Sequence, residues 1–476
     1  MLRRPGYLAV MATLALAGCA SPRDPDLRLP AAFEAPAGAS AAAPPPGALA
    51  LDTWWTAYND AELTALIEQA LARNPDIRTA RSRLDEVKAQ RTGSILQYLP
   101  QGDATLQGRR TDTDQIGGTA ANIPGFSTAG VSKQYQSAFT VNWEVDPWGR
   151  GFVAYRAANA EVDRVRYAYE VARAQLAAET ADSWFEAKGL AIQLADARET
   201  TRIQQDLYEI ASKRAERGLA AGTEPDRIAG DLSQARAQVA ALEAQLQVQK
   251  RAILILAGRI VEPTANINAT PEVGQAPAVP QVLPSELLQR RPDVRQAQAA
   301  LRSAAAQQKL AGLAFFPSFT FSPGIGWSRI EQPGFSSETQ NWSIAGSVMQ
   351  PVLSLPRLLS DLKVQNARTE QAVTAYEKTV QTAFQETESA LVSLDADRRR
   401  VALLTEGEAR ARRAYEAART GYGRGLTDLS STLSAEQAWR SVRAQLTSAQ
   451  VQALRRSVQA MKAIGGGWPA QAYAAK

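Results

Sequence analysis

The chain has 476 residues, with 53 Lys and Arg against 48 Asp and Glu, no histidine and a single cysteine, Cys19. Without histidine the commonest general base and metal ligand is missing; without a second cysteine there is no internal disulfide, and a zinc site would need carboxylates alone. The formal charge of +5 is small for this length, and the one dense basic tract, Arg398-Arg399-Arg400, sits in a helical pattern, so nucleic-acid binding is not expected.

The first element is an address. Arg3 and Arg4 precede an apolar run from Tyr7 to Leu16, too short for a spanning helix of about 20 residues. Small Ala17 and Gly18 follow, which makes residues 1–18 a secretory signal peptide. Its removal takes two arginines and leaves a charge of +3. Leu16-Ala17-Gly18-Cys19 also resembles the bacterial lipobox, which implies a lipid on Cys19; Ala20, where Asp would hold a lipoprotein in the inner membrane, implies the outer one. An ordinary signal peptide is the alternative. Residues 19–52 are Ala- and Pro-rich and predict an extended, lipid-anchored tether. No later apolar run approaches 18 residues, so the mature chain is soluble or spans as a barrel.

Two halves then repeat one plan. "NPDIRTARSRL" (74–84) matches "RPDVRQAQAAL" (291–301) at an offset of 217, and Leu99-Pro100 matches Phe316-Pro317. Beyond that the offset is 207: Ala168-Tyr169-Glu170 with Ala375-Tyr376-Glu377, Tyr208 with Tyr415, Arg217-Gly218-Leu219 with Arg424-Gly425-Leu426. Ten residues were gained or lost between Pro100 and Ala168, where loops tolerate such change. Repeat 1 is placed at 53–262 and repeat 2 at 285–468, joined by a Pro-rich linker at 263–284 and followed by a tail at 469–476.

Each half predicts helix, strand, strand, very long helix, shorter helix. A helix from about residue 60 is expected to break before Pro75 and restart at Asp76. Residues 151–217 hold no proline, and Val162, Val165, Tyr169, Ala172 and Leu176 recur at helical spacing, as do Leu190, Leu194, Leu207 and Ile210 with gaps. A helix of that length extends roughly 100 Å, and such helices pack as coiled coils. Its second copy is placed at 357–423. Gly218, Gly222 and Gly425 mark turns into returning helices near 224–258 and 429–464.

The strand pieces alternate. Phe139, Val141, Trp143 and Val145 interleave with Ala138, Thr140, Asn142 and Glu144; Phe319 and Phe321 with Ser318 and Thr320; Trp342 and Ile344 with Ser343 and Ala345. Hairpins are placed at about 101–146 and 318–351. Period two with aromatics on one side suits a transmembrane barrel, and equally a half-buried sheet packed on helices; the signal peptide favours the barrel. Four strands cannot close one, so copies must share it: eight strands from two chains or twelve from three.

In sequence order, "WWTAYNDAELTALIEQALARNPDIRTARSRL", "WEVDPWGR", "GYGRGLTDLSSTLSAEQ" and "AIGGGW" resemble the outer membrane factors, the TolC/OprM/NodT type, in their lipoprotein drug-efflux branch. The resemblance covers nearly all of the mature chain. It implies a homotrimer whose 12-stranded outer-membrane barrel continues as an α-helical periplasmic tunnel. That duct docks on a periplasmic adaptor and an inner-membrane pump of the resistance-nodulation-division class, with no cofactor besides the lipid and no chemistry of its own. Thr140, Asn142, Glu144, Ser318, Thr320 and Ser343 would then face the lumen, and the loop 111–130 would lie outside the cell. Trp143 and Trp148 could be interface residues, or Trp148 could pack under the helix start. Members of the family often carry a D-A-Q-R run in the last helix, near the periplasmic gate. Here it is "SAEQ", with Ser434 and Gln437 at the Asp and Arg positions, which leaves Asp428 or Glu436 as candidate gate acids or as plain solvated residues. A type I secretion duct and a trimeric coiled-coil adhesin are the competing readings; an enzyme is not expected.

Overall fold

The computed structural model describes residues 24–34, 51–114, 116, 130–218, 221–280 and 283–469. The signal peptide, Cys19, most of the 111–130 loop and the tail beyond 469 lie outside the described residues. After a 3₁₀ stretch at Leu51–Tyr58 come α1 (Ala61–Arg73), α2 (Pro75–Leu96), β1 (Gln101–Thr113) and β2 (Gly130–Val145). Then follow α3 (Arg150–Glu216), α4 (Thr223–Leu256), a four-residue α5 (Leu287–Arg290) and α6 (Pro292–Leu313). Last come β3 (Ser318–Gln332), β4 (Phe335–Met349), α7 (Leu355–Gly423) and α8 (Leu429–Ala463). The helix–strand–strand–long helix–helix unit thus occurs twice. The 67-residue α3 and 69-residue α7 run unbroken.

The chain forms two compact units, one built on Asp85–Arg164 and Gln298–Ala375, the other on Asp26–Leu84, Val165–Ala297 and the chain from Tyr376 on. The first holds one antiparallel sheet in the order β1-β2-β3-β4. In the second, Trp54, Leu63 and Ile67 from the chain start pack with Ala181 and Trp184 of α3 and Met461 of α8 into a continuous core.

The break at Pro75 falls where the sequence places it. Asn74 takes an extended ψ of 132°, as a residue before proline must, and Pro75 opens α2 one residue earlier than expected. Asn74 also caps: its Nδ2 donates to the Leu256 carbonyl (3.1 Å) and its Oδ1 accepts from Asp76 N (2.8 Å). At the matching place in repeat 2 stands Arg291, whose Nη1 donates to the Ala463 carbonyl (3.1 Å). A neutral amide and a buried guanidinium thus satisfy equivalent terminal carbonyls.

One expectation is corrected. Part of the stretch read as a free tether is seated on α7: Asp26 N donates to Glu377 Oε1 (2.8 Å), Phe33 stacks on Phe384 (5.4 Å), and Glu34 N donates to Glu388 Oε2 (3.2 Å). The Phe33 ring is partly buried there against the core. The Pro-rich linker is also packed, with Ile267 and Val279 fully buried and Pro277 O accepting from Arg398 (2.8 Å). Of the α3 residues at helical spacing, Leu190, Leu194 and Leu207 are buried and Ile210 is 38% exposed.

Candidate channel-forming surfaces

The sheet has two chemically distinct faces, because residues directly opposite in the ladder share a face. One row runs Ala104–Phe139–Ile325–Trp342, another joins Trp143 to Phe321, another Val145–Phe319–Val348. Among the described residues much of this row stays open: Phe139 is 48% exposed, Ile325 55% and Trp342 79%. The alternate row is Asp103–Thr140–Gly324–Ser343, with Glu144–Thr320–Ser347 beside it. Thr140, Asn142, Glu144, Ser318, Thr320 and Ser343 therefore stand together on the polar face.

The apolar face is bounded. Along β2 it runs from Val145 to Tyr135, ten residue steps, about 34 Å at ~3.4 Å each. At a barrel tilt of about 40° that is roughly 26 Å of height, close to the ~25 Å apolar band of outer-membrane barrels. At Tyr135 the same face turns charged: Tyr135's own row carries Arg329 opposite Glu338, and the next sets Lys133 opposite Arg110 and Glu331.

The strand-to-helix junction explains "WEVDPWGR". Asp146 caps α3 by accepting from Arg150 N (2.9 Å) and Gly151 N (2.7 Å). The Arg150 guanidinium donates to the carbonyls of Leu313 (3.0 Å) and Phe316 (2.8 Å) and pairs with Glu144 (3.2 Å). Glu144 is thus tied back to the helix start rather than standing as a free acid. Trp148 stacks on Phe316 (5.0 Å) and donates to Pro317 O (2.8 Å); Trp143 donates to Tyr98 O (3.2 Å).

In the helical unit, the turns after α3 and α7 are counterparts. Gly218 has φ +71° and Gly425 φ +75°, left-handed positions that favour glycine. Gly222 precedes α4 without a side-chain cap, whereas Asp428 caps α8, accepting from Ser431 N (2.7 Å) and Ser431 Oγ (3.0 Å). Those bonds hold the Asp428 carboxyl below its ordinary value.

The "SAEQ" run presents its neutral members and hides its acid. Ser434 and Gln437 are exposed. Glu436 is fully buried, and Gln204 Nε2 of α3 donates to both its oxygens (3.1 and 3.3 Å). Arg440 Nε stands 3.5 Å away. Burial pushes the Glu436 carboxyl up, with Asp231 adding to the rise and Arg440, Arg419 and the Gln204 bond opposing it. Nearby, Tyr415 stacks on Trp439 (5.2 Å), whose indole N–H donates to Glu408 (2.9 Å). The two candidate gate acids are therefore a helix cap and a buried, hydrogen-bonded group. The sequence held no signal for that burial, since the partner Gln204 is 232 residues away.

"AIGGGW" closes the unit. Gly465 (φ +84°) lies so close to Arg290 that a Cβ would stand 2.7 Å from its carbonyl oxygen. Gly467 N donates to Leu51 O (2.8 Å), and Trp468, 1% exposed, donates to Arg290 O (2.8 Å). These contacts join the end of repeat 2 to its own start at Arg290 and, through Leu51, to the segment that leads into repeat 1, a structural role.

The sequence profile described as outer membrane efflux protein matches residues 66–259 and, separately, 283–466. Outer membrane protein OprJ of Pseudomonas aeruginosa is 28% identical over 477 aligned positions, covering 98% of this chain and 97% of OprJ. The pyoverdine export outer membrane protein OpmQ of the same organism is 26% identical, covering 87% of each chain. Among solved structures, the Campylobacter jejuni CmeC outer membrane channel superposes with a TM-score of 0.79 at 21% identity, over 94% of this chain and 95% of that one.

Proposed function

The chain belongs to the outer membrane efflux protein family, and from that premise we propose that it is the exit duct of a tripartite efflux system. Three copies contribute four strands each to a 12-stranded barrel in the outer membrane, continued by their long helices as a periplasmic tunnel. A periplasmic adaptor and an inner-membrane pump of the resistance-nodulation-division class deliver small molecules such as drugs, and energy comes from the pump. The duct itself is a passive path with no catalytic group and no cofactor.

One observation carries this reading: a four-stranded sheet whose apolar face is uncovered over a bilayer's height while the opposite face is polar. Backbone groups at an open sheet edge cannot stay unpaired in lipid, so β1 and β4 must find strands from other copies. Thr140, Asn142, Ser318, Thr320 and Ser343 then line the water path. The turns at Gly218, Gly222 and Gly425, with Asp428, Ser434 and Gln437, form the inner end. Cys19, by its lipobox-like setting, carries an auxiliary lipid anchor.

Two measurements test it. Purified protein in a planar bilayer should give stable single-channel currents. Deletion of the gene, in a strain with no second duct, should raise susceptibility to dyes, detergents and antibiotics. Currents without any change in susceptibility would favour a secretion duct. No currents at all from protein bound at the cell surface would favour an adhesin.

A further inference from the structure

The polar face of the sheet is almost free of charge. Among the described strand residues, its only charged side chains are Asp103, Arg109 and Glu144. Glu144 is paired with Arg150 (3.2 Å). Asp103 stands opposite Thr140 and Arg109 opposite Gln134. Both are exposed, and neither has an ion pair among the described residues. On β4, the strand that must meet β1 of another copy, the same face runs from Phe335 to Met349 without a charge. Any register that keeps polar face beside polar face therefore brings no counter-charge to Asp103 or Arg109. The loop sequence from 115 to 129 carries no charge either.

We propose that in the assembled barrel Asp103 and Arg109 form two rings of opposite charge in series. The Asp103 ring, near the helix end, attracts cations; the Arg109 ring, nearer the hairpin turns, attracts anions. This rests on the channel reading and adds the residues that set its charge selectivity. Six residues separate the two along β1, about 20 Å of strand and roughly 16 Å of height at a tilt of about 40°.

The magnitudes suffice for an effect. Twelve strands about 4.8 Å apart and tilted by about 40° enclose a backbone radius of about 12 Å. Side chains reaching inward set the charges roughly 6–9 Å from the axis, about one Debye length at physiological salt. Three unit charges at about 8 Å, screened over that length, change the concentration of a monovalent ion on the axis by roughly 2–3-fold at about 0.15 M salt and about sevenfold at ~0.01 M. At ~1 M, with a Debye length near 3 Å, the effect is lost. The rings are about two Debye lengths apart at physiological salt, so each acts separately.

Their order has consequences. A solute with net charge of either sign is drawn by one ring and opposed by the other; a neutral or zwitterionic one escapes that conflict. For small ions the order makes the path rectify. With the helix end positive, cations enter past Asp103 and anions past Arg109, and both accumulate between the rings. The reverse voltage drains that space. Current at low salt is therefore larger with the helix end positive.

Planar-bilayer recordings in a KCl gradient of about 0.01–0.1 M, where screening is weak, test this. Asp103→Asn should shift the reversal potential towards anion selectivity and Arg109→Gln towards cation selectivity. The exchange variant D103R/R109D keeps the net charge and inverts the order. Measured against the neutral D103N/R109Q, it should rectify in the sense opposite to wild type. All these differences should vanish near ~1 M KCl. Every variant should reach the outer membrane at wild-type levels, since both sites face water. If neither single variant shifts the reversal potential, or if D103R/R109D rectifies as wild type does, the rings are wrong and the channel reading stands. Depletion of either single variant from the outer membrane would put that side chain against lipid and overturn the proposal. Absence of any current from the wild-type protein would overturn both readings.

Discussion

Burying a carboxylate raises the free energy of its charged form, and for Glu436 the Gln204 bond and the charges of Arg440 and Arg419 offset only part of that cost. Its carboxyl is held above the ordinary 4.5, so the folded state resists ionising it. The penalty is absent below 4.5 and grows as pH rises through the folded value; stability is lost in that direction. Asp428 has the opposite sign: held below 3.8, it adds stability above that pH and loses it only in stronger acid. Above pH 4.5 Asp428 is therefore constant and Glu436 alone of the two acts. Glu436→Gln should flatten the fall in thermal stability from pH 5 to pH 8, because an amide keeps a bond to Gln204 without a charge. Glu436→Ala should lose about 1–3 kcal/mol at both pH values by leaving a buried amide unpaired. An unchanged pH slope in Glu436→Gln would show that this acid does not titrate against the fold.

The helices and strands were legible for physical reasons that act locally. No proline interrupts 151–217, and β2 alternates large apolar with polar residues through Phe139 to Val145. Which helix lies against which is not local. The burial of Glu436, the seat of Phe33 on Phe384 and the use of Arg291 where repeat 1 has Asn74 all depend on partners far away in sequence. The glycines that close each repeat lie between these cases. Their repetition is visible, but the reason is spatial: a Cβ on Gly258 would stand 2.9 Å from Arg73 Cβ, and one on Gly465 2.7 Å from Arg290 O. Gly465→Ala should cost roughly 1–3 kcal/mol in backbone strain alone, with the clash added. Gly407, inside α7, meets only an ordinary contact at 3.6 Å, so Gly407→Ala should stabilise by about 0.5–1 kcal/mol. Thermal unfolding of the two variants should move in opposite directions; a loss in both would mean that α7 needs its glycine for packing.

Assembly into a membrane is where the two faces of the sheet acquire different fates. Phe139 and Thr140 are chain neighbours, yet the ladder puts Phe139 in the row with Ile325 and Trp342 and Thr140 in the row with Asp103 and Ser343. A cation on the lipid side of a barrel costs about 2–4 kcal/mol near the midplane, and every copy adds the same cost. A cation on the water side stays hydrated and changes only the field and width of the path. Phe139→Arg should therefore be depleted from the outer membrane and fail to form trimers there. Thr140→Arg should insert at wild-type levels and pass less cation current in planar bilayers. If both variants insert equally well, the apolar face does not meet lipid and the barrel assignment is wrong. If Thr140→Arg is the one excluded, the faces are reversed.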